Sequence, residues 1–351
     1  MEAGPTPDAA LSRRLTNIRH ILLVLSGKGG VGKSSVSVQI ALSLLHSRPG
    51  VRVGLLDIDL TGPSIPRMLG LQGRSVFQSN DGWIPVQVDL AKDLQANNED
   101  AVASDGLLKC MSIGFLLKNP QDSVVWRGPK KNAMIRQFLV DVQWGELDWL
   151  IVDTPPGTSD EHISLLEQLA PALIARSSSD SPNARLPTLS SVLVTTPQAV
   201  SLADVSKELD FARKTGLTVI GLIENMSGYL CPHCKEIQHV FGGGGGEAFC
   251  AQVPIDVEFM KLMDQAMWTD PNKEPRDGSD VSQTQETQHV NWDLIRRYAE
   301  VPSSKILGQI CKKITESWNI HKTNVQIRMV TSTKTSISNP QSTSCDTGNS
   351  E

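Results

Sequence analysis

The sequence predicts an α/β fold, a mostly parallel sheet flanked by helices, and three observations carry that expectation. Apolar, β-rich runs recur at residues 21–25, 53–56, 149–152, 191–194 and 217–223, each of strand length. The segments between them are long enough for helices, and strands joined by helical crossovers run parallel and are covered on both faces. A glycine-rich loop leaves the first run and opens a segment patterned as a helix.

The first run is uninterruptedly apolar, as a strand buried on both faces must be. The loop after it reads Gly27-Lys28-Gly29-Gly30-Val31-Gly32-Lys33-Ser34-Ser35. Beyond it Val36, Ile40, Leu44 and Leu45 repeat at helical spacing until Pro49-Gly50 ends the element. Gly27, four residues, then Gly32-Lys33-Ser34 is the spacing of a phosphate-cradling loop, in which glycines let backbone N–H groups curl around phosphate oxygens. Lys33 then pairs with the β/γ oxygens and Ser34 holds Mg²⁺.

The second run leads into Leu55-Leu56-Asp57-Ile58-Asp59, whose alternate carboxylates leave the strand end on one side. Asp59 is the candidate for positioning an attacking water and Asp57 for sensing Mg²⁺. The third run ends in Val152-Asp153-Thr154-Pro155-Pro156-Gly157. Asp153 is placed like a Walker-B carboxylate toward Mg²⁺, and Gly157 has an N–H to offer a γ-phosphate. After the last run, Asn225 is positioned either to give its amide to a base edge or to shape a turn. Ligands of such sheets lie at the carboxyl ends of strands, so a composite site is expected there.

Toward the end of the chain Leu294, Ile295, Tyr298, Ile306, Ile310 and Ile314 suit helices packed on the sheet. Stretches near 177–185 and 269–288, and the Ser/Thr/Asn-rich end, read as poorly ordered insertions and a tail. No internal repeat is found.

Lys and Arg number 33 against 38 Asp and Glu, a net charge of -5, which argues against a broad nucleic-acid footprint. No apolar run reaches the roughly 18 residues a membrane span needs. The amino-terminal stretch mixes Arg13, Arg14 and Arg19 with Glu2 and Asp8 and lacks a long apolar core, so no export signal is read and a cytoplasmic location is expected. Cys110, Cys231, Cys234, Cys250, Cys311 and Cys345 are too scattered for a disulfide framework. Only Cys231 and Cys234 lie close, and a lone C-x-x-C leaves a redox dithiol, half a zinc site completed by His239 or Cys250, and incidental cysteines all open.

Lys28, directly after the first loop glycine, resembles the second lysine of the deviant P-loop ATPases. Together with the stretch from Asp57 to Gly70, Trp126-Arg127-Gly128-Pro129 and Glu224-Asn225-Met226-Ser227, the loop is similar to the Mrp/nucleotide-binding-protein family of iron–sulfur cluster carriers. The likeness runs from about Ile21 to Asp264. It implies a deviant P-loop NTPase fold of the SIMIBI type over residues 19–320, an extension at 1–18 and a low-complexity tail at 321–351. It also implies slow ATP hydrolysis in a face-to-face dimer, with Lys28 reaching the partner's nucleotide and acting beside Lys33 and Asp59. Cys231 and Cys234 then hold a [4Fe–4S] cluster bridging two subunits, since each chain offers two thiolates and the cluster takes four.

No cysteine precedes Cys110, which makes the chain most similar to the shorter eukaryotic cytosolic scaffold; the same absence also fits bacterial or organellar relatives, so the expected compartment rests on the lack of a targeting segment. The shorter cytosolic form partners a longer paralogue bearing an extra four-cysteine motif, as well as itself, and passes clusters to cytosolic and nuclear apoproteins. The competing expectation is a nucleotide-gated partitioning ATPase or a zinc-binding switch without a cluster; the partitioning form needs a basic amphipathic carboxyl-terminal helix, which the tail does not offer. One departure stands out. Where the family has a helix and a strand after its glycine run, here Glu247 to Gln252 leads straight into Val253-Pro254-Ile255-Asp256, and an edge strand is expected to be missing.

Overall fold

A computed structural model describes residues 9–47, 50–89, 106–117, 127–177, 187–231, 233–234, 236–239, 250–267 and 294–321. All but the first residue of the expected insertion near 177–185, the one near 269–288, the glycine run 242–246 and the chain beyond 321 lie outside the described residues.

The central sheet has the order β10-β9-β8-β1-β7-β2-β6-β5, with β11 also paired to β9. Its middle consists of β1 (Ile18–Leu25), β7 (Leu147–Asp153), β2 (Arg52–Asp57), β6 (Leu107–Ser112), β8 (Thr188–Thr195) and β9 (Val219–Leu230), all parallel. At one side β5 (Val86–Asp89) pairs antiparallel with β6; at the other β10 (Ile237–Gln238) pairs antiparallel with β9. A small hairpin of β3 (Phe77–Ser79) and β4 (Gly82–Ile84) stands apart from the sheet.

The uninterrupted apolar runs serve two cores at once, because successive side chains of a strand face opposite ways. In β1, Leu22 and Val24 enter one core while Ile21, Leu23 and Leu25 enter the other; in β7, Trp149 and Ile151 part in the same way from Leu150 and Val152. The first core is covered by α2 (Lys33–Ser47), the short α3 (Ile65–Met68), α7 (Val257–Met267), α8 (Leu294–Glu300) and α9 (Pro302–His321). The second is covered by α1 (Ala9–Leu15), α4 (Gly128–Val140), α5 (Asp160–Ser177) and α6 (Ala199–Thr215). Each Leu or Ile so buried contributes about 1.5–3 kcal/mol. The helical pattern read at Tyr298 and Ile310 is observed, and the Tyr298 hydroxyl meets Ser43 Oγ of α2 at 2.9 Å inside the first core.

Two sequence expectations are revised. The missing edge strand is present: Cys250–Ile255 forms β11, parallel to β9 from Cys250↔Leu222 to Ile255↔Tyr229. Pro254 within it lacks an N–H, a property suited to an edge strand. The last parallel strand starts at Val219 and continues to Leu230, so Asn225 lies inside it rather than in a turn after it. Pairing with β11 supplies hydrogen-bond partners that prolong β9 past its last register with β8, Thr195↔Glu224. At the amino end, α1 buries Leu11 and Leu15, which ties part of the expected extension into the second core.

Candidate functional site

The phosphate loop joins β1 to α2 at the carboxyl edge of the sheet. Its glycines are required by close approach. A Cβ at Gly27 would lie 2.5 Å from the backbone carbon of Asp204 in α6, and one at Gly32 would collide with Asn225 Nδ2. Gly30 and Gly32 both adopt positive φ, 81° and 80°, the left-handed region that turns successive N–H groups toward one point. The N–H of Val36 donates to Gly32 O at 3.0 Å, so the helix begins as the loop ends and aims its amino-terminal dipole at the loop. Lys28 and Gly29 are exposed, and Ser34 and Ser35 are half-buried.

Asp153, at the end of β7 and wholly buried, organises the charged centre. Its Oδ1 pairs with Lys33 Nζ at 2.6 Å and accepts from Ser37 Oγ at 2.8 Å; its Oδ2 accepts from Ser34 Oγ at 2.6 Å. The two residues assigned to phosphate and Mg²⁺ thus converge on the predicted Walker-B carboxylate. Asp57, at the end of β2, stands in register with Asp153. Burial first, then the neighbouring charge of Asp153, pushes the Asp57 carboxyl up to about 8, against the opposing pull of Lys33. Ser112 Oγ and the Asp59 N–H each donate to it at 3.1 Å. Two adjoining buried carboxylates beside a serine hydroxyl suit a small divalent cation, which takes oxygen donors and neutralises such a pair.

Three further residues have partners within the protein. Asp59 turns its Oδ1 to the loop after β2, accepting from the Thr61 N–H, the Thr61 hydroxyl and the Gly62 N–H at 3.3, 2.9 and 3.1 Å. The Gly157 N–H, expected to face a γ-phosphate, donates to Ser26 O at 2.7 Å, because the Pro155-Pro156 turn folds back onto β1. Asn225 is buried and donates from Nδ2 to Val31 O at 2.8 Å. It buttresses the phosphate loop directly.

Cys231 follows β9, and Cys234 lies in the turn toward β10. The Cys231 N–H donates to Glu236 O at 3.0 Å, closing the hairpin. The N–H groups of Cys234 and His233, with the Cys234 thiol, hold the Cys231 thiol below its ordinary value. N–H donors that favour a thiolate suit a soft metal or a cluster iron. No group of three or more His, Cys, Asp and Glu side chains able to hold a metal ion occurs among the described residues. His239 meets Ser227 O through Nδ1 at 3.0 Å.

Residues that no motif announced surround this centre. His162 in α5 is buried, and its Nδ1 faces the Ser159 hydroxyl at 3.0 Å and the Ser159 N–H at 3.3 Å. Burial above all pushes it down to about 4, so it is neutral at physiological pH. Lys131 of α4 pairs with Glu161 at 2.7 Å. The string Thr158-Ser159-Asp160-Glu161-His162 after the Pro-Pro-Gly turn was the available signal. A separate cleft of about 670 Å³ lies at the amino ends of the strands, lined by residues including Arg19, Arg52, Glu146 and Asp148. It is remote from the phosphate loop, and its arginines are ion-paired to Asp148 and Glu146.

Residues 17–294 match the model of a ParA-type family described as NUBPL iron-transfer P-loop NTPase. The chain is 55% identical over 274 residues to "Cytosolic Fe-S cluster assembly factor CFD1" of Mycosarcoma maydis, covering 74% of this chain and 68% of that protein. It is 50% identical over 273 residues to "Cytosolic Fe-S cluster assembly factor NUBP2" of Homo sapiens, covering 76% and 88%. Among solved structures it is similar to a nucleotide-binding protein of Archaeoglobus fulgidus in complex with ADP, at 33% identity and a TM-score of 0.55, covering 75% of this chain and 93% of that one.

Proposed function

Since the chain belongs to the iron-transfer P-loop NTPases of the ParA family, we propose that it is an ATP-dependent cytosolic scaffold that assembles [4Fe–4S] clusters and passes them to apoproteins. The observation that carries this reading is the hairpin of Cys231 and Cys234, a two-thiol half-site whose backbone N–H groups favour the thiolate. Two such hairpins supply the four thiolates a cluster takes, so the cluster is cargo shared between two chains. The partner is either a second copy or the longer paralogue with an additional four-cysteine motif. The names of the relatives, cytosolic Fe-S cluster assembly factors, support both the task and the compartment.

Within residues 19–320, the loop from Gly27 to Ser35 cradles the ATP phosphates and Lys33 holds their charge. Mg²⁺, held by Ser34 with Asp57 and Asp153, would supply neutralisation of that charge. Asp59 orients the water, and Lys28, exposed beside the loop, reaches toward the partner's nucleotide. Asn225 steadies the loop through its bond to Val31 O. Both sites touch β9, which supports a reading in which hydrolysis is coupled to cluster assembly or release.

Anaerobic reconstitution with iron and sulfide tests the cargo. The wild-type chain should turn brown and carry both elements, and a Cys231→Ala/Cys234→Ala variant should stay colourless. A colourless wild-type protein retaining stoichiometric zinc would replace the cluster by a zinc switch.

A further inference from the structure

We propose that Asn225 is a positioning residue that couples the phosphate loop to the thiol pair, passing rearrangements of the loop along β9 into the Cys231–Cys234 hairpin. The inference rests on the nucleotide-binding reading above and adds to it a route between the two sites.

At the loop end the fit has no slack. Asn225 Nδ2 donates to Val31 O at 2.8 Å, and where a Cβ on Gly32 would stand, Asn225 Nδ2 blocks it and Met226 Cε lies 3.6 Å away. Loop residues that reorganise around phosphates therefore carry the side chains of 225 and 226 with them. At the hairpin end the strand is stitched into one unit. His239 Nδ1 meets Ser227 O at 3.0 Å, Tyr229 and Leu230 pair with Gln238 and Ile237, and the Cys231 N–H donates to Glu236 O. Gly228 admits this packing, since a Cβ there would lie 2.5 Å from Ile237 Cγ2.

Between the two ends lies a bend. Met226 has φ 57°, the only positive φ of a non-glycine among the described residues, a conformation held only where its surroundings enforce it. Opposite it, the register with β11 breaks: Val253 pairs with Asn225, and pairing resumes only at Ile255↔Tyr229. Met226 thus has no register partner on β11, while Asn225 before it is held by β11 and the phosphate loop and Ser227 to Leu230 after it are held by the hairpin. That is the arrangement of a hinge between two small rigid bodies.

The test uses the full, reduced, metal-free chain under anaerobic conditions. Cys231 alkylation by iodoacetamide is followed by mass spectrometry of its peptide, with and without Mg-ATP, and binding is measured in parallel by calorimetry. Cys110 and Cys311 are buried, and peptide mapping separates any other thiol. In wild type, ligand should change the Cys231 rate by about fivefold or more, the scale of ordinary site coupling. In Asn225→Ala the ratio with and without ligand should fall to about one.

Mg-tripolyphosphate, which fills a phosphate loop without a base, keeps that variant testable if its ATP affinity drops. Met226→Gly retains the Asn225 amide and allows the bend without strain, but it removes the Met226 side chain packed beside Gly32 and frees the backbone there to flex, and should lose most of the change. A merely structural role for Asn225 would alter both rates together and leave their ratio intact. An Asn225→Ala protein that binds ligand and keeps the wild-type ratio overturns the coupling; should that variant not fold, a wild-type ratio in Met226→Gly does the same. Wild type that binds Mg-ATP with no change in rate also overturns it, while the nucleotide reading stands. Failure to bind Mg-ATP or tripolyphosphate at all sinks both.

Discussion

Asp153 shows how much a single buried charge depends on its partners. It is fully buried and is satisfied by one ammonium and two hydroxyls. In Lys33→Ala the carboxylate keeps only Ser34 and Ser37, so the folded state should lose about 3–5 kcal/mol, measured by urea unfolding. ATP hydrolysis should fall by about 10²-fold or more. Adding Asp153→Asn should recover much of the stability and none of the turnover. Glu208 in α6 is the opposite case: it is buried, and both carboxylate oxygens lack a partner among the described residues. Burial raises its carboxyl from 4.5 to about 7. Because the folded form holds this proton more tightly than the unfolded chain, the contribution of Glu208 to stability is fully present below about pH 4.5 and is lost as pH rises through about 7. Glu208→Gln should therefore raise the melting temperature at pH 8, by about 1–3 kcal/mol in stability, and change it little at pH 4.5.

The hairpin of β9 and β10 is the element on which the proposed cargo binding turns. Gly228→Ala puts a methyl group against Ile237, so it should loosen the hairpin and lower iron loading several-fold, while Mg-ATP affinity measured by calorimetry stays near wild type. This element was also the least legible in the sequence. Uninterrupted apolar runs such as Ile21 to Leu25 announce strands because both faces are buried, and Gly27 to Ser34 announces its loop because backbone approach tolerates little else. Ile237–Gln238 is too short to show any period, and the reach of β9 past Ile223 is imposed by β11, a partner distant in the chain. For the same reason the sequence misplaced Asn225: its contact with Val31 joins residues 194 positions apart. Glu208 escaped notice because nothing local distinguishes a buried titratable side chain from a solvated one, and the string around His162 marked a place in the chain without showing that the ring is buried.

For the whole molecule, the sheet separates its two ends by chemistry. Lys33, Asp57, Asp153 and Asn225 gather at the carboxyl ends of the strands, while the amino ends carry a cleft whose arginines are already matched by Asp148 and Glu146. The pairing of two chains proposed above uses the end that holds the phosphate loop and the cysteines. Reconstituted protein should accordingly contain about four iron and four sulfide per two chains, with a dimeric mass by analytical ultracentrifugation that falls to the monomer in Cys231→Ala/Cys234→Ala without nucleotide. The unequal lengths of β8 and β9 give this pairing a particular form. From Asn225 to Leu230, β9 runs on after its register with β8 has ended, a reach of at most roughly 20 Å at strand rise. It is a boom that carries the thiols beyond the end of β8. On the proposal that a cluster bridges two chains, each boom tip is where the partner's thiols are to be met, at a place set apart from the phosphate loop.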